Sequence, residues 1–191
     1  MPPSAKVKTK AVFLDRDGTI NKEIHHLRDV KQLRILPGAA HAIKQINRLG
    51  FLVIILTNQS VIGHGLSTEK KVDHIHAVLR GRLRRNGANI DAIYYCPHHP
   101  KAKLKKYRMY CSCRKPGIAL IQEAAKTLKI DLKKSFMVGD KTGDILAGKR
   151  AKLKTILVQT GYAGKDNVHD VTPDFIAKNL AAAVKIISSA P

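Results

Sequence analysis

Two carboxylates separated by one residue, Asp15 and Asp17, are the residues of this chain best suited to do chemistry. The four apolar residues before them form a run short enough for a buried strand, and the Asp-Gly pair marks the turn that ends it. Residues two apart along a strand point to the same side, which predicts that both carboxylates project together and that Arg16 points elsewhere. Open α/β sheets place their chemistry at such strand ends. The alternative is a strand that ends in a solvated acidic turn.

Three further polar segments follow predicted strands or begin predicted helices, at residues 57–60, 114–116 and 139–144. All can converge on one edge of a parallel sheet. A carboxylate such as Asp15 can attack phosphorus, and a second one such as Asp17 can act as an acid and then as a base. Because two carboxylates and a phosphate repel one another, this chemistry requires a cation with oxygen ligands, such as Mg²⁺.

The elements that must position these residues alternate along the chain. Apolar runs predict strands over residues 11–14, 51–56, 90–95, 135–139 and 155–158. Apolar residues spaced by three and four predict helices between them and at the end, over 39–49, 67–85, 118–128, 144–151 and 180–187. This alternation predicts an α/β fold, a three-layer doubly wound parallel sheet without a large cap. With 191 residues and no visible linker, the chain is expected to form a single domain over residues 1–191.

The four polar segments resemble, in order, the four motifs of the haloacid dehalogenase (HAD) superfamily of phosphotransferases, over about residues 12–161. The resemblance implies that Asp15 is the nucleophile, which forms an aspartyl-phosphate, and that Asp17 is the acid and base. It also implies that Asp15, Asp140 and the backbone carbonyl of Asp17 hold Mg²⁺.

The same resemblance assigns roles to three other residues. Thr57 and Lys115 would stabilise the phosphoryl oxygens, over which charge spreads in the transition state. Asp144 would orient the metal site; its position at the start of a predicted helix leaves open the alternative that it is only the N-cap residue.

Cysteines and histidines cluster between residues 96 and 113, a loop that holds all three cysteines of the chain. In a chain without a signal peptide such clustering indicates a metal site rather than a disulfide. Three thiolates and one imidazole make the closed tetrahedral set that structural zinc uses; the predicted ligands are Cys96, His98, Cys111 and Cys113. His99 is the alternative imidazole. We expect Zn²⁺ to fix this basic loop and to place Arg114 and Lys115 against the substrate.

A narrower resemblance is to the D-glycero-D-manno-heptose 1,7-bisphosphate 7-phosphatase family, in the histidinol-phosphatase-like branch of the superfamily. It rests on FLDRDGTIN, TNQS, CPHHP, CxCRKP and VGDK. The piece between His98 and the cysteine pair, residues 99–110, is longer than is typical of histidinol-phosphate phosphatases. The implied reaction is removal of the 7-phosphate, on the route to nucleotide-heptose precursors of lipopolysaccharide. Hydrolysis of histidinol phosphate or another small sugar phosphate is the alternative.

The family resemblance also implies which residues bind the substrate. They are Arg16, Glu23, His26, Asn58, Gln59, Ser60, Arg114 and Lys141, with Arg114 recognising the distal phosphate. Two segments depart from the family pattern. Where the family has G-I-A-R-G, this chain has V-I-G-H-G at residues 61–65, and the segment 23–26 also differs. Both departures bear on sugar specificity, not on phosphatase chemistry.

The charge balance is strongly basic, with 35 Lys and Arg against 14 Asp and Glu, a formal net charge of +21. Such a surface attracts polyanions, which supports a nucleic-acid-binding protein or a polynucleotide 3′-phosphatase as a further alternative. An aromatic content of 5% leaves few side chains to stack on bases and argues against it. Residues 2–10 lack a signal-peptide core, and the run 51–56 is too short to span a bilayer. We therefore expect a cytoplasmic monomer that acts on a small phosphorylated sugar, away from membranes.

Overall fold

The computed structural model describes residues 9–189, so the basic N-terminal segment up to residue 8 lies outside the described part of the chain. The described residues form six strands and six α-helices, with short 3₁₀ turns at Val30–Gln32, Lys105–Tyr107 and Leu132–Lys134. In chain order the elements are β1 (Ala11–Leu14), α1 (Ala39–Arg48), β2 (Leu52–Asn58), α2 (Ser60–Gly63), α3 (Glu69–Arg85), β3 (Ala92–Cys96), α4 (Ala119–Leu128), β4 (Phe136–Gly139), α5 (Thr142–Arg150), β5 (Lys154–Val158), β6 (Phe175–Ala177) and α6 (Leu180–Ser189).

The six strands form one sheet in the order β3-β2-β1-β4-β5-β6, and every neighbouring pair is parallel. The predicted doubly wound sheet is confirmed. From β1 the chain builds the sheet outward first in one direction, to β3, and then in the other, from β4 to β6. The strand order therefore reverses between β1 and β4, and open sheets of this kind bind ligands in the crevice beyond that point.

Alternate side chains of β1 face two separate cores, which explains the three layers. Val12 and Leu14 pack with the apolar faces of α1, α3 and α6, whereas Phe13 packs with those of α4 and α5. All three side chains are fully buried. Burying a side chain of this size contributes ~1.5–3 kcal/mol relative to leaving it exposed, so β1 is anchored from both faces and its carboxyl end is a rigid support.

Most element bounds agree with the sequence prediction to within a few residues. The start of α3 is one example, because Thr68 is its N-cap residue and accepts a hydrogen bond from the Lys71 amide. Two short elements were not predicted, α2 and β6. The strand β6 has only three residues, and Asp174 beside it accepts hydrogen bonds from the amide and hydroxyl of Thr155 on β5. Three residues are too few to show an alternating apolar pattern, which is why this edge strand was not predicted from the sequence.

The connections within residues 9–189 are small. Between β1 and β2 there is one 3₁₀ turn and α1, and between β2 and the segment 114–116 there are α2, α3, β3 and the cysteine loop. The expectation of a fold without a large cap therefore agrees with the described elements. Among the described residues, no helix is both long and apolar enough to cross a bilayer.

Candidate active site

Three buried carboxylates meet at the point where the strand order reverses. Asp15 directly follows β1, Asp140 directly follows β4, and Asp144 lies in the first turn of α5. One oxygen atom of each lies within 4.8 Å of the others. The sequence predicted Asp15 and Asp140 at one sheet edge, and the structure brings them within reach of a single cation.

The ammonium group of Lys115 balances part of this negative charge. Its three donors reach Asp15 Oδ1, Asp144 Oδ1 and the carbonyl oxygen of Leu56, each at 2.6 Å. Burial opposes ionisation of Lys115, but the carboxylates of Asp144 and Asp15 outweigh it and raise the pKa of the ammonium group. Lys115 therefore remains charged, and it joins two of the three acids.

One ammonium group does not balance three carboxylates. Burial raises the pKa of Asp15 to about 6, because the desolvation, together with the smaller effect of the Asp144 charge, outweighs the attraction of Lys115 and Lys141. Burial, together with the charges of Asp15 and Asp144, raises the pKa of Asp140 to about 8. A buried group of acids that resists ionisation in this way favours a bound cation.

Asp140 has the free coordination capacity that such a cation needs. Its Oδ2 atom accepts a hydrogen bond from the Tyr162 amide at 2.7 Å, whereas its Oδ1 atom is buried and has no hydrogen-bond partner within residues 9–189. Buried polar atoms are rarely left unpaired. Asp140 and the neighbouring carboxylate oxygens are hard ligands of the kind Mg²⁺ takes, so the residues present fit a divalent cation.

Glycines make room for the Asp140 carboxylate. A Cβ atom on Gly161 would lie 2.1 Å from Asp140 Oδ2 and 2.7 Å from the Gly18 Cα atom. A Cβ atom on Gly18 would lie 2.3 Å from the same oxygen. Both glycines also have positive φ angles, +60° and +87°.

We expect Gly161→Ala to weaken activation by Mg²⁺ by about tenfold or more, since displaced support of a ligand typically costs 10–100-fold in affinity. The measurement is phosphate release against Mg²⁺ concentration. Gly50→Ala is the matched control, because Gly50 also has a positive φ, +77°, but its Cβ would meet no atom of the described residues within 4 Å. Unchanged Mg²⁺ activation in Gly161→Ala would contradict the proposed position of the cation.

Asp17 has a different set of partners from Asp15. Arg16 binds it through Nε at 3.1 Å and Nη2 at 2.5 Å, Asn21 donates to Oδ1 at 2.8 Å, and Gln59 donates to Oδ2 at 3.0 Å. Burial would raise the pKa of Asp17, but the Arg16 charge and these hydrogen bonds outweigh it and lower the pKa. These contacts thus favour the ionised form of Asp17 and hold its carboxylate in one orientation.

Two expectations for Arg16 need correction. Its side chain does not point away from the acids. Burying a guanidinium costs least free energy where a carboxylate pairs with it, and Asp17 is adjacent. With 0% of its surface exposed, Arg16 also has no surface to offer a substrate. It supports Asp17 from within the protein.

The segment after β2 is also more tightly bonded than the sequence indicated. Gln59 is buried and donates to Thr57 Oγ1 at 2.8 Å as well as to Asp17. Asn58 makes a reciprocal pair with the backbone of Lys115, at 3.0 and 3.1 Å. Asn58 and Gln59 thus join the first, second and third motifs, while Ser60 begins α2.

Asp144 is not the N-cap residue of α5. Lys141 is the N-cap, and Asp144 is at the third helical position, where its Oδ2 atom accepts the Lys141 amide at 3.0 Å. Its other oxygen binds Lys115. The residue therefore fulfils a capping function and an electrostatic one at the same time, because the first turn of α5 faces the site.

The four predicted zinc ligands lie together at the end of β3. The three Sγ atoms are 3.0 to 3.5 Å apart, and His98 Nδ1 is 3.3 Å from Cys113 and 3.7 Å from Cys96. All three thiols are free. Three sulfurs and one ring nitrogen with mutual distances of this size fit a tetrahedral zinc site.

His99 does not compete for this position. Its Nδ1 atom accepts the Lys101 amide at 3.1 Å, and its ring packs on His64 with 5.0 Å between centroids. Alternate residues of an extended segment point in opposite directions, so only one of the two adjacent histidines can face the sulfurs.

The rim of the site carries charged and aromatic groups. Lys141 pairs with Glu23 at 2.8 Å. The His26 ring lies 6.0 Å from that of His64, between centroids. Arg114 donates to the carbonyl oxygen of His98 at 3.1 Å, which ties the residue before Lys115 to the cysteine loop.

Some supporting residues were not predicted from the sequence. The Tyr162 amide and Gly161, both at Asp140, come from a loop without a distinctive pattern. Asn21, which donates to Asp17, ends the first motif but was given no role of its own. His76 contacts Arg16 from α3, and only its position on the apolar face of that helix could have drawn attention to it.

Comparison with known proteins agrees with this geometry. A family model described as HAD-hydrolase-like matches residues 112–183. The D-glycero-beta-D-manno-heptose-1,7-bisphosphate 7-phosphatase of Pasteurella multocida is 42% identical over 153 residues, which are 80% of this chain and 83% of the relative. A D-glycero-alpha-D-manno-heptose-1,7-bisphosphate 7-phosphatase of Photorhabdus laumondii is 36% identical over 94% of this chain and 97% of its own.

Among solved structures, the D,D-heptose 1,7-bisphosphate phosphatase of B. bronchiseptica, complexed with magnesium and phosphate, superposes with a TM-score of 0.84. Its identity to this chain is 30%, and the match covers 95% of this chain and 100% of the other. Fold, site and similarity together define a phosphoric monoester hydrolase of the HAD class. Within that class, the chain belongs to the heptose 1,7-bisphosphate 7-phosphatase family.

Proposed function

We propose that this protein removes the 7-phosphate of D-glycero-D-manno-heptose 1,7-bisphosphate through an aspartyl-phosphate intermediate. The observation that carries the proposal is the buried group of Asp15, Asp140 and Asp144 around Lys115, at the point where the strand order reverses. Relatives of 36–43% identity bear the name of this reaction. The product would enter the synthesis of nucleotide-heptose precursors of lipopolysaccharide, in the cytoplasm.

In the proposed first step an oxygen of Asp15 forms a bond to phosphorus while the bond from phosphorus to the sugar oxygen breaks. The negative charge of the arriving phosphate favours protonation of Asp17, and Asp17 then donates this proton to that sugar oxygen. In the second step Asp17 takes a proton from a water molecule, which attacks phosphorus and releases Asp15. Lys115 and the hydroxyl of Thr57 stabilise the negative charge on the phosphoryl oxygens.

Mg²⁺ would be held by Asp15, Asp140 and the backbone carbonyl of Asp17, with Asp144 keeping Lys115 in place. When bound, the ion neutralises charge between the phosphate and the carboxylates. The unpartnered Oδ1 atom of Asp140 supports this assignment.

Zn²⁺ would be held by Cys96, His98, Cys111 and Cys113 and would have a structural function. The loop between the two ligand pairs is basic and mostly exposed, and Ala102 and Tyr107 are its buried apolar residues, so few apolar contacts hold it in one conformation. Arg114 donates a hydrogen bond to the His98 carbonyl, so an ordered loop holds Arg114 and Lys115 in position beside the site.

For substrate recognition we propose Arg114 at the distal phosphate, with Glu23, His26, Ser60 and Lys141 around the sugar. Asn58 and Gln59 contribute by connecting the segment after β2 to Lys115 and Asp17. The pair of Lys141 and Glu23 and the proximity of His26 to His64 support a polar entrance suited to a phosphorylated sugar.

The decisive experiment is a set of phosphate esters offered to the purified protein with Mg²⁺. Relatives named for either anomer resemble this chain, so both anomers of the heptose bisphosphate are included. Fructose 1,6-bisphosphate, histidinol phosphate and a 3′-phosphorylated oligonucleotide are the competitors. We expect the highest kcat/KM with one heptose bisphosphate anomer. A higher value with histidinol phosphate or the oligonucleotide would overturn the proposed substrate.

We expect Arg114→Ala to raise the KM for the bisphosphate by about 10–100-fold, because a hydrogen bond to a charged group contributes ~1.5–3 kcal/mol. The KM for a sugar monophosphate without a distal phosphate should change little. Lys103→Ala is the matched control, since Lys103 is an exposed cation of the same loop. Equal effects on both substrates would remove the distal-phosphate role of Arg114.

A further inference from the structure

His76 is a buried polar residue to which the proposed reaction gives no part. It lies on α3 and is only 5% exposed. Its Nε2 atom is 2.9 Å from Nη1 of Arg16, a residue 60 positions away in the sequence. Because a guanidinium has donors and no acceptor, Nε2 must be the accepting, unprotonated nitrogen.

The surroundings of His76 keep it in this accepting form. Burial and the adjacent charge of Arg16 lower the pKa of His76 to about 3, against a weaker opposing effect of Asp17. The imidazole also packs against Tyr95 of β3, with 5.5 Å between ring centroids. The ring is therefore neutral and is held from a second side.

The hydrogen bond between His76 and Arg16 fixes the orientation of the Arg16 guanidinium toward Asp17. With Nη1 bound to His76, the Nε and Nη2 atoms of the same planar group face the two oxygens of Asp17, at 3.1 and 2.5 Å. Nη2 also donates to Gln59 Oε1 at 3.1 Å. Without an acceptor at position 76, the Nη1 donor would be buried and unpaired, and rotation of the guanidinium would relieve that penalty at the expense of the Asp17 contact.

We propose that His76 is a positioning residue for the reaction, which sets the orientation of the Asp17 carboxylate through Arg16. The inference rests on the proposed role of Asp17 as the acid and base. His76 does not touch the substrate or the metal ligands; it acts from the far side of Arg16. Its effect should therefore be confined to the proton transfers that Asp17 performs.

Whether His76 acts only on proton transfer by Asp17 can be measured with leaving groups of different basicity. An alkyl phosphate releases a basic alkoxide, which needs a proton from Asp17, whereas p-nitrophenyl phosphate releases a stable phenolate, which does not. The parameter is kcat/KM, because it covers the steps up to departure of the leaving group and excludes hydrolysis of the aspartyl-phosphate. A residue needed only for folding would lower both values equally.

The experiment compares His76→Leu, which has no acceptor, with His76→Gln, which retains one. We expect His76→Leu to lose about tenfold in kcat/KM for a sugar phosphate, a fraction of the ~10²–10⁴-fold that a positioned general acid contributes. For p-nitrophenyl phosphate we expect a change of less than about twofold, and His76→Gln should recover part of the loss. His74→Leu, an exposed histidine of the same helix, is the control.

Asp17→Asn separates failure of this inference from failure of the proposed mechanism. If Asp17→Asn discriminates between the two esters and His76→Leu does not, the positioning role of His76 is wrong and the acid role of Asp17 stands. If Asp17→Asn itself does not discriminate, the proposed acid is wrong and the inference falls with it. Increased sugar-phosphate turnover in His76→Leu would also overturn the inference. The double variant His76→Leu/Asp17→Asn should show the same ratio of kcat/KM between the two esters as Asp17→Asn alone.

Discussion

Asp15→Asn is expected to lower phosphate release from the preferred ester by at least about 10⁴-fold, a barrier increase of about 5.4 kcal/mol at 1.36 kcal/mol per tenfold. The substitution removes the proposed nucleophile and one carboxylate ligand together. The amide is nearly isosteric, and Lys115 keeps its bonds to Asp144 and to the Leu56 carbonyl. The chain should therefore still fold, and the loss should lie in kcat.

The variant is compared with the unmodified protein in two assays. Circular dichroism and thermal unfolding establish that the fold is intact, and a rapid acid quench followed by borohydride reduction detects the acyl-phosphate. We expect the reduced product at residue 15 only in the unmodified protein. Asp170→Asn, at an exposed acid, is the control. Retained turnover, or trapping of phosphate on another residue, would contradict the nucleophile assignment.

The sheet and the meeting of its motifs were predictable because each depends on a local pattern. The apolar run before Asp15 and the run after Gly50 could only be buried strands once helical spacing appeared between them. Parallel strands present their carboxyl ends at one edge, so Asp15 and Asp140 had to be neighbours once both strands were recognised. The sulfur cluster was predictable for a similar reason, since alternate residues in two extended pairs supply its four ligands.

The supporting contacts were not predictable, because they depend on side-chain directions and on distant partners. Arg16 was expected to point away from the two acids, yet pairing with Asp17 and His76 compensates a guanidinium that has no access to water. Asp144 was expected as the N-cap residue or as a residue that orients the metal site; from the third helical position it accepts the Lys141 amide and pairs with Lys115. Nothing in the spacing of the motifs indicated either arrangement.

Loss of zinc is expected to destabilise the protein and then to impair substrate recognition. Cys111→Ser removes one ligand of the sulfur cluster, whose thiol is 3.5 Å from Cys96 and 3.2 Å from Cys113. Because metal binding stabilises only the folded state, we expect a loss of about 3 kcal/mol, which for a chain of this length lowers Tm by roughly 6–12 °C. Ser112→Ala, at an exposed position between two ligands, is the control.

A chelator provides the second arm of this experiment. It should lower the Tm of the unmodified protein toward that of Cys111→Ser and leave the variant nearly unchanged, since the variant has already lost the site. Metal analysis of freshly reduced protein should give about one zinc per chain, the stoichiometry of a four-ligand structural site. The Arg114 bond to the His98 carbonyl predicts a higher KM for the bisphosphate after zinc loss. Zinc-free protein with an unchanged Tm and KM would show that the loop orders itself without metal, through contacts such as the 2.6 Å hydrogen bond from Tyr107 to Glu69.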